Sequence, residues 1–152
     1  MRIFSALILL FLTVNSFSQT LKDDIFENID FRFIGPEGNR AIAIVGVPGD
    51  ENTTYIGAAS GGLWKTVDRG LSWKPIFDDQ DVSSIGSVAL APSDPEQVWV
   101  GTGETFVIRP AHAMGDGIYK SSDAGATWTN MGLETSGRIG RVIVHPTDTN
   151  TV

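Results

Sequence analysis

One short phrase occurs twice in this chain, and its recurrence constrains the fold more than any other feature of the sequence. Residues 60–73 read SGGLWKTVDRGLSW and residues 115–128 read GDGIYKSSDAGATW, so the two copies are 55 positions apart. Each copy places a hydroxyl residue, an aspartate, a glycine, a second hydroxyl residue and a tryptophan in the same order and spacing. A phrase that recurs in this way indicates a chain built from repeated structural units.

Short apolar runs separated by turn residues surround the two copies. Runs of this length, bounded by glycine, proline and aspartate and without a helical period, are typical of strands. Four runs follow one another in each unit of about 45 residues, and four-stranded units of that size are the blades of a β-propeller. The predicted strands are 41–47, 54–59, 62–67 and 71–77, then 84–91, 97–103, 117–122 and 126–133, with a third round beginning at 138–145.

The fold class predicted for the chain is all-β: a β-propeller of four-stranded blades, with about two blades and the first strand of a third present. The predicted segments are a signal peptide at 1–18, a lead-in at 19–40, blade 1 at 41–83, blade 2 at 84–137 and the start of blade 3 at 138–152. A closed propeller needs at least four blades. We therefore expect the N-terminal part of a longer protein, whose remaining blades are its partners. The alternative is a short protein that closes a ring by oligomerising.

The first residues of the chain predict export. An arginine at position 2 is followed by an apolar run of about 12 residues and by small residues at Ser16 and Ser18, the pattern of a signal peptide cleaved near Ser18–Gln19. A membrane anchor, the alternative, needs about 20 apolar residues. We expect a secreted, periplasmic or cell-surface protein with no membrane span after the leader is removed.

Charge and residue types argue against several partners and cofactors. The net charge is −7 and no basic run occurs, so nucleic acid is not an expected ligand. The chain has no cysteine and therefore no disulfide. His112 and His145 lack the spacing of a metal site, and the acidic run of Asp78, Asp79 and Asp81 lacks the pattern of a calcium loop. Neither a metal nor a cofactor is predicted.

The repeated phrase has a structural interpretation. In the second copy we expect the Asp123 carboxylate to accept hydrogen bonds from backbone amides two or three residues later. Gly125 is expected to supply a backbone angle that other residues avoid, Thr127 to start the fourth strand, and Trp128 to fill the space between neighbouring blades. The residues given this structural role are Thr66, Asp68, Gly70, Ser72 and Trp73, with Ser121, Asp123, Gly125, Thr127 and Trp128.

The phrase is similar to the Asp-box, or BNR repeat, of sialidase-like and sortilin-like propellers. The order of FRFIGPEGNRAIAIVGVP, GAASGGLWKT, SSIGSVALAPSDPEQVWVGTGE, GDGIYKSSDAGATW and RIGRVIVHPTD resembles a family of large secreted bacterial proteins. These proteins carry a sortilin N-terminal-type propeller and are often labelled glycosyl hydrolases. The resemblance covers about residues 30–152, and it implies that the Asp-box turns lie on the side of the propeller opposite the ligand.

The other side of the propeller is the predicted ligand face. It gathers the loops that join strands 2 and 3 of a blade and the loops that join one blade to the next. The inserted run ETFVIRPAHAM (104–114) lengthens one of these loops, and an insertion here favours a role in binding. The alternative is a solvated loop that packs on a neighbouring blade. The ligand-face candidates are Arg40, Glu104, Arg109, His112, Asp116 and Arg138, with Glu37, Ser60, Asp78, Asp79 and Asp81 beside them.

Three functions are open on the sequence. The main interpretation is an exported propeller without catalysis in this segment, which presents its ligand face to a carbohydrate, a peptide or a partner protein. The alternative is a glycosyl hydrolase, exo-sialidase-like or xyloglucanase-like, whose catalytic residues lie mostly beyond Val152. The third is a structural module of a cell-surface or secretion-linked protein.

Two motif comparisons lower the expectation of hydrolysis. Xyloglucanase-type propellers carry a catalytic aspartate in a T-D-x-G-G-like stretch, where this chain has Ala59 and Ser60. Sialidases open an arginine triad with an R-I-P stretch, whereas Arg32 is followed here by Phe-Ile-Gly. A glycosidase needs two carboxylates about 5–10 Å apart, and Glu104 and Asp116 are the candidates in this segment.

Overall fold

The computed structural model describes residues 35–36, 40–105 and 113–152, all within one unit of the chain, Phe33–Val152. The strands are β1 Ala41–Val47, β2 Asp50–Ala58, β3 Leu63–Thr66, β4 Lys74–Pro75, β5 Ile85–Ala91, β6 Asp94–Thr102, β7 Ile118–Ser121 and β8 Thr129–Asn130. They form two antiparallel sheets of four strands, in which strands that follow one another in sequence lie side by side. The all-β prediction is confirmed, and we name the sheets blade 1 (β1–β4) and blade 2 (β5–β8).

The two blades are copies of each other in their strand pairing. In blade 1, Ile44 of β1 lies opposite Ile56 of β2, and in blade 2, Val88 of β5 lies opposite Val100 of β6. Both ladders are irregular at the same two places, near the start of the first strand and at its turn into the second. The repeated sequence therefore produces the same register in both units.

The fourth strand of each blade is shorter than predicted. β4 has two residues instead of the run 71–77, and β8 has two instead of the run 126–133. Ser72 and Thr127 lie just before these strands. Their backbone amides donate to the carboxylates of Asp68 and Asp123, and not to the neighbouring strand. The predicted start of the fourth strand at Thr127 is therefore wrong, because the Thr127 amide is bonded to Asp123.

The structure has no strand within residues 138–152, where the first strand of a third blade is predicted. In blades 1 and 2 the first strand pairs with the residues that follow its turn. Within residues 138–152, only Thr151 and Val152 follow the corresponding turn. A single ladder-like bond forms there, from the His145 amide to the Thr151 carbonyl at 2.9 Å.

Residues 138–152 nevertheless begin a third unit against blade 2. A methyl group added to Gly57 of blade 1 would lie 2.4 Å from Cγ2 of Ile85, and one added to Gly101 of blade 2 would lie 2.4 Å from Cγ2 of Ile139. Only glycine leaves room for an isoleucine at this distance. Ile139 therefore packs on blade 2 as Ile85 packs on blade 1.

The turn after the first strand has the same hydrogen bonds in all three units. Asp50 accepts the amide two residues later at 2.9 Å and the hydroxyl three residues later at 2.6 Å. Asp148 does the same at 3.0 Å and 2.6 Å. Asp94 accepts the amide two residues later and the side-chain amide of Gln97, both at 3.1 Å. These local turns fix where the second strand of each unit begins.

The main core lies between the two blades. Phe77, which follows β4, packs edge-on against Tyr119 and against Trp128 of blade 2, with ring centroids 5.1 Å apart in each pair. The indole N–H of Trp128 donates to the carbonyl oxygen of Ile76 at 2.6 Å. Trp128 therefore joins the blades, as its place in the repeated phrase predicts. Other buried members of this core are Tyr55, Leu63, Ile85, Val98 and Val100.

A second connection between the blades uses a lysine and an aromatic residue. Lys65 and Tyr55 of blade 1 both donate to the carbonyl oxygen of Ala124 in blade 2, at 2.9 Å and 3.1 Å. Burial lowers the pKa of Lys65 and raises the pKa of Tyr55 to about 12. Lys120 and Trp99 occupy the equivalent positions in blade 2. They donate to the Asn150 side-chain oxygen at 2.7 Å and to the Thr149 carbonyl oxygen at 3.1 Å, both in the turn of the third unit.

Several predicted segments lie outside the described residues. They are the signal peptide (1–18), most of the lead-in (19–40) and residues 106–112 of the inserted run. Within the part of the chain that the structure describes, no helix has the length and apolar character needed to cross a membrane.

Candidate functional site

The strand register separates the loops of each blade into two ends. Gly57 of β2 lies opposite Leu63 of β3, so the connection between these strands is at the C-terminal end of β2. The repeated phrase follows Thr66, which lies opposite Thr54 toward the other end. β3, which joins the two ends, has four residues and therefore spans about 13 Å. We define the loop end as residues 59–62, 76–84, 103–105, 113–117 and 131–138, and the Asp-box end as residues 67–73 and 122–128.

The aspartate of each repeated phrase holds its turn closed. In blade 2 the Asp123 carboxylate accepts the Ser121 hydroxyl at 2.7 Å, the Thr127 amide at 2.8 Å and the Thr127 hydroxyl at 2.6 Å. The Gly125 amide donates to the Ser121 hydroxyl at 2.8 Å, and Gly125 has the positive φ, +92°, that its role requires. The closest of the amides bonded to the carboxylate is four residues later, and the Ala126 amide, three residues later as predicted, also lowers the Asp123 pKa.

The turn of blade 1 has the same geometry. Asp68 accepts the Thr66 hydroxyl at 2.7 Å, the Ser72 amide at 2.9 Å and the Ser72 hydroxyl at 2.6 Å. The hydroxyl bond from Ser72 is the largest cause that lowers the pKa of Asp68 to about 2, and the one from Thr127 does the same for Asp123. Carboxylates that stay ionised and carry this many donors are suited to holding a turn and not to donating a proton at neutral pH.

Hydrogen bonds connect blade 1 to the start of blade 2 at the loop end. The Ala59 amide donates to the Arg40 carbonyl at 2.9 Å, and the Gly62 amide donates to the Ser83 carbonyl at 2.7 Å. The Ser84 hydroxyl donates to the Ala59 carbonyl at 2.6 Å. The residues before β1, between β2 and β3, and before β5 therefore form one connected surface.

The segments after β6 join the same surface. The Gly103 amide donates to the Ser84 carbonyl and the Glu104 amide to the Ala113 carbonyl, both at 2.8 Å. A methyl group on Gly103 would lie 2.8 Å from Cα of Arg138, so the third unit passes close to the end of β6. Both blades and the start of the third unit thus contribute to the loop end.

The described ligand-face candidates all lie at this end of the blades or directly beside it. They are Arg40, Glu104, Asp116 and Arg138. Arg138 is exposed, as are the acidic residues of the loop after β4. The candidates that lie outside the described residues are Arg109, His112 and Glu37.

The structure brings two of the candidates, Arg40 and Glu104, together in an ion pair. Arg40 precedes β1 and Glu104 follows β6, so the pair links blade 1 to blade 2. The Glu104 side chain is 0% exposed, whereas 31% of the Arg40 side chain is exposed. The sequence predicted both residues for this face but not their pairing.

Asp116 is bonded within its own blade. It accepts the Tyr119 hydroxyl at 2.7 Å and the Thr102 hydroxyl at 3.3 Å. Burial is the largest cause that raises the pKa of Tyr119, followed by the hydrogen bond to Asp116, and the negative charge of Asp81 adds to it. Asp81, from the loop after β4, therefore acts on the same tyrosine as Asp116.

Metal ligation has no support in the described part of the chain. Across residues 35–36, 40–105 and 113–152, no group of three or more histidine, cysteine, aspartate or glutamate side chains could hold a metal ion. Nδ1 of His145 accepts the amides of Thr147 and Asp148 at 3.3 Å and 3.2 Å. This histidine is thus engaged in capping the turn of the third unit.

Sequence reasoning missed Ser84, whose hydroxyl and carbonyl connect the two blades at the loop end. Ser84 directly precedes the first strand of its unit, where Arg40 stands in the first unit and Arg138 in the third. That shared repeat position, between two ligand-face candidates, was the signal that could have found it.

Comparison with known proteins finds similarity to propellers that are named as polysaccharide hydrolases. No protein-family model matches the chain. A xyloglucanase of a Paenibacillus species is 30% identical to it over 95 residues, which are 54% of this chain and 9% of the xyloglucanase. The structure of an ancestral GH74 enzyme covers 64% of this chain and 13% of its own, with a TM-score of 0.50 and 22% identity. The structure of the Niastella koreensis GH74 enzyme matches 66% of this chain and 15% of its own length, with a TM-score of 0.51 and 24% identity.

These similarities support a β-propeller fold. The chain spans 9% of the xyloglucanase and 13% and 15% of the two solved enzymes. Of the interpretations drawn from the sequence, the alternative one, a glycosyl hydrolase propeller, is supported better than the main one, a binding module without catalysis. The Asp-box, BNR and sortilin parts of the resemblance stay predictions.

Proposed function

We propose that this chain forms the first two blades of a longer, exported propeller that hydrolyses a polysaccharide of the xyloglucan class. The observation that carries the proposal is the loop end, where the described ligand-face candidates gather at the opposite end of β3 and β7 from the two Asp-box turns. The substrate class comes from the relative that is named a xyloglucanase. The two GH74 enzymes support the fold on which the loop end is built.

An apolar groove on blade 1 supports the longer chain. Ile44 is 70% exposed, whereas Val88, its counterpart in blade 2, packs against the core between the blades. The groove has a volume of about 430 Å³ and is lined in part by Ile44, Ile56, Gly70 and Trp73. Exposed apolar faces of this kind are normally covered, and in a propeller the neighbouring blade covers them. We assign further blades of the longer protein to this position.

We assign binding to these two blades and catalysis to carboxylates of later blades. Ala59 is fully buried where the resemblance to xyloglucanases would place a catalytic aspartate. Glu104 is engaged by Arg40, and Asp116 accepts two hydroxyl groups. A glycosidase needs an acid and a second carboxylate about 5–10 Å apart, with room for the sugar between them. The loop end described here supplies polar groups that bind sugar hydroxyls rather than such a pair.

Hydrolysis by the full-length protein tests the proposal. Reducing ends released from xyloglucan are measured beside those released from polygalacturonate, an acidic polysaccharide, and we expect release from xyloglucan only. The variant D123N is the internal control, because the Asp-box turn holds structure and not substrate. It should retain the wild-type turnover number wherever it is folded. A folded D123N protein without turnover would place an Asp-box carboxylate in catalysis and contradict the proposal.

A second function, binding of the same polysaccharide without hydrolysis, is favoured by the buried Ala59 at the position of the expected aspartate. Retention of the protein in a xyloglucan-containing gel, with no reducing ends released, would select this second function. A protein that is not retained in the gel and releases no reducing ends would contradict both functions.

We further propose that the chain is exported, with cleavage near Ser18–Gln19, and that its repeated turns are of the Asp-box class. The apolar run after position 2 supports export, and the identical hydrogen bonds of the two turns support the class. N-terminal sequencing of the protein recovered outside the cytoplasm should begin at or near Gln19. An uncleaved N-terminus on a cytoplasmic protein would contradict export.

A further inference from the structure

We infer that Arg40 contacts the polysaccharide at the loop end, and that Glu104 is the positioning residue that holds its guanidinium and matches its charge. A subsite built in this way takes the hydroxyl groups of neutral sugars rather than the carboxylates of uronic acids. The inference rests on the proposed function and adds to it a binding group and a selectivity.

The two side chains are held where four segments of the chain meet. The Arg40 carbonyl accepts the Ala59 amide at 2.9 Å, and the Ala59 carbonyl accepts the Ser84 hydroxyl at 2.6 Å. The same hydroxyl lies 3.4 Å from the Ala113 carbonyl, to which the Glu104 amide donates at 2.8 Å. The ion pair of Glu104 with Arg40 closes this ring of contacts. Backbone bonds therefore fix the position from which each side chain extends.

The burial of Glu104 makes its partner necessary. A carboxylate with no exposed surface is strongly destabilising unless a charged or hydrogen-bonded partner compensates it. The guanidinium of arginine is a rigid plane with five N–H donors, so a bond to one edge orients the whole group. The 31% of the Arg40 side chain that is exposed is therefore presented at the loop end in one orientation.

Charge determines which ligand this arrangement favours. Because Glu104 already matches the positive charge of Arg40, a ligand carboxylate gains little attraction there. It would also approach a chain whose net charge is −7, on which the exposed Asp78 carboxylate lies beside Gly62 of the loop end. A sugar hydroxyl accepts a hydrogen bond from the guanidinium without bringing a charge of its own. The matched charge of Arg40 and the net negative charge of the chain thus act against uronic acids and not against neutral glucans.

The chain contains a matched pair that serves as a control. Arg69 and Glu51 form an ion pair of 3.0 Å beside the Asp-box end, with 67% and 84% of their side chains exposed. Both residues line the groove to which further blades are assigned, so thermal melting is used to check that the control variant is folded. This pair lies away from the loop end. Replacing Glu51 therefore tests whether the loss of any arginine–glutamate pair changes polysaccharide binding.

The experiment measures dissociation constants of xyloglucan and of polygalacturonate for the full-length protein. The variants are E104Q and R40K at the loop end and E51Q as the control. We expect E104Q to bind xyloglucan about tenfold more weakly, because the guanidinium loses its fixed orientation. The same variant should bind polygalacturonate more tightly, because the Arg40 charge is no longer matched. R40K should lose a similar factor for xyloglucan with no gain for polygalacturonate, and E51Q should change neither.

The ratio of the two dissociation constants decides the inference, because a purely structural ion pair would weaken both polymers equally. The inference is overturned if E104Q binds both polymers more weakly by the same factor, or if E104Q and R40K both keep the wild-type ratio of dissociation constants. In either case, xyloglucan binding by the wild-type protein leaves the proposed function standing. A wild-type protein that binds neither polymer overturns both. If thermal melting shows that E104Q is unfolded, R40K decides: unchanged affinity for xyloglucan then overturns the inference.

Discussion

Removing the indole of Trp128 is expected to destabilise the contact between the two blades by about 3–5 kcal/mol. The side chain is partly buried, so roughly half of the 150–250 Å² of a tryptophan leaves water, which is worth about 2–3 kcal/mol at about 25 cal/mol/Å². The edge-on contact with Phe77, at 5.1 Å, adds about 1 kcal/mol. The 2.6 Å hydrogen bond to the Ile76 carbonyl adds about 1 kcal/mol more.

The assay is chemical denaturation of the full-length protein, with thermal melting as a second measure. W128A should lower both the denaturant midpoint and the melting temperature relative to wild type. W128F keeps a ring against Phe77 but has no N–H for Ile76, so it should lose about 1–2 kcal/mol. L71A is the control, because Leu71 is 73% exposed beside the Asp-box turn of blade 1 and should stay within about 0.5 kcal/mol of wild type.

A loss of less than about 1 kcal/mol in W128A would refute this reasoning, because it would mean that the indole is not held between the blades. Equal losses in W128A and W128F would refute a narrower part of it, namely that the ring of Phe77 and the Ile76 carbonyl contribute separately. Either result would also remove the structural reason for a tryptophan at this place in the repeated phrase.

Three further predictions concern the same turns and faces. Because hydrogen bonds lower the pKa of Asp68 and Asp123 to about 2 from 3.8, their stabilising effect is complete above about pH 4 and is lost as the pH falls through 2. The melting-temperature gap between wild type and D123N should therefore narrow only below pH 4, and a gap that closes near pH 6 contradicts this. In denaturation experiments, G125A should lower the free energy of unfolding by about 1–3 kcal/mol, and by more than G132A does. Both glycines have a positive φ, but only a methyl group on Gly125 would meet a neighbouring atom, at 2.6 Å. Equal losses of stability in the two variants would contradict this contact. W73A should destabilise the full-length protein as much as removal of the equivalent tryptophan of blade 2, and no effect would mean that the outer face of blade 1 stays uncovered.

The fold was predictable from the sequence wherever the cause of the structure is local. The first strand of blade 1 was predicted at 41–47 and lies at Ala41–Val47, because a run of small and β-branched residues ends at a turn that Asp50 fixes by its own hydrogen bonds. The fourth strands were predicted too long, because Asp68 and Asp123 compete with the sheet for the amides that follow them.

The site was predictable in its location and not in its contacts. Repeat position alone placed Arg40, Glu104 and Asp116 at one end of the blades, since residues that end equivalent strands lie together. Their partners depend on how the blades pack against each other. Arg40 and Glu104 are 64 positions apart, and nothing in the spacing of the chain shows that their side chains meet. The hydrogen bonds through Ser84 help to bring the two segments to the same place.

Comparing the repeat units shows which residues the fold requires and which residues can vary without loss of the fold. The units agree in the Asp-box turns, in the turns after the first strand, and at Gly57 and Gly101, where the next unit packs closely. They differ at the loop end, where Ser60 of blade 1 corresponds to Glu104 of blade 2. A blade can therefore form and dock without a carboxylate at this position. Because burying Glu104 is costly and blade 1 folds with a serine in its place, the ion pair with Arg40 is consistent with the subsite proposed for the loop end.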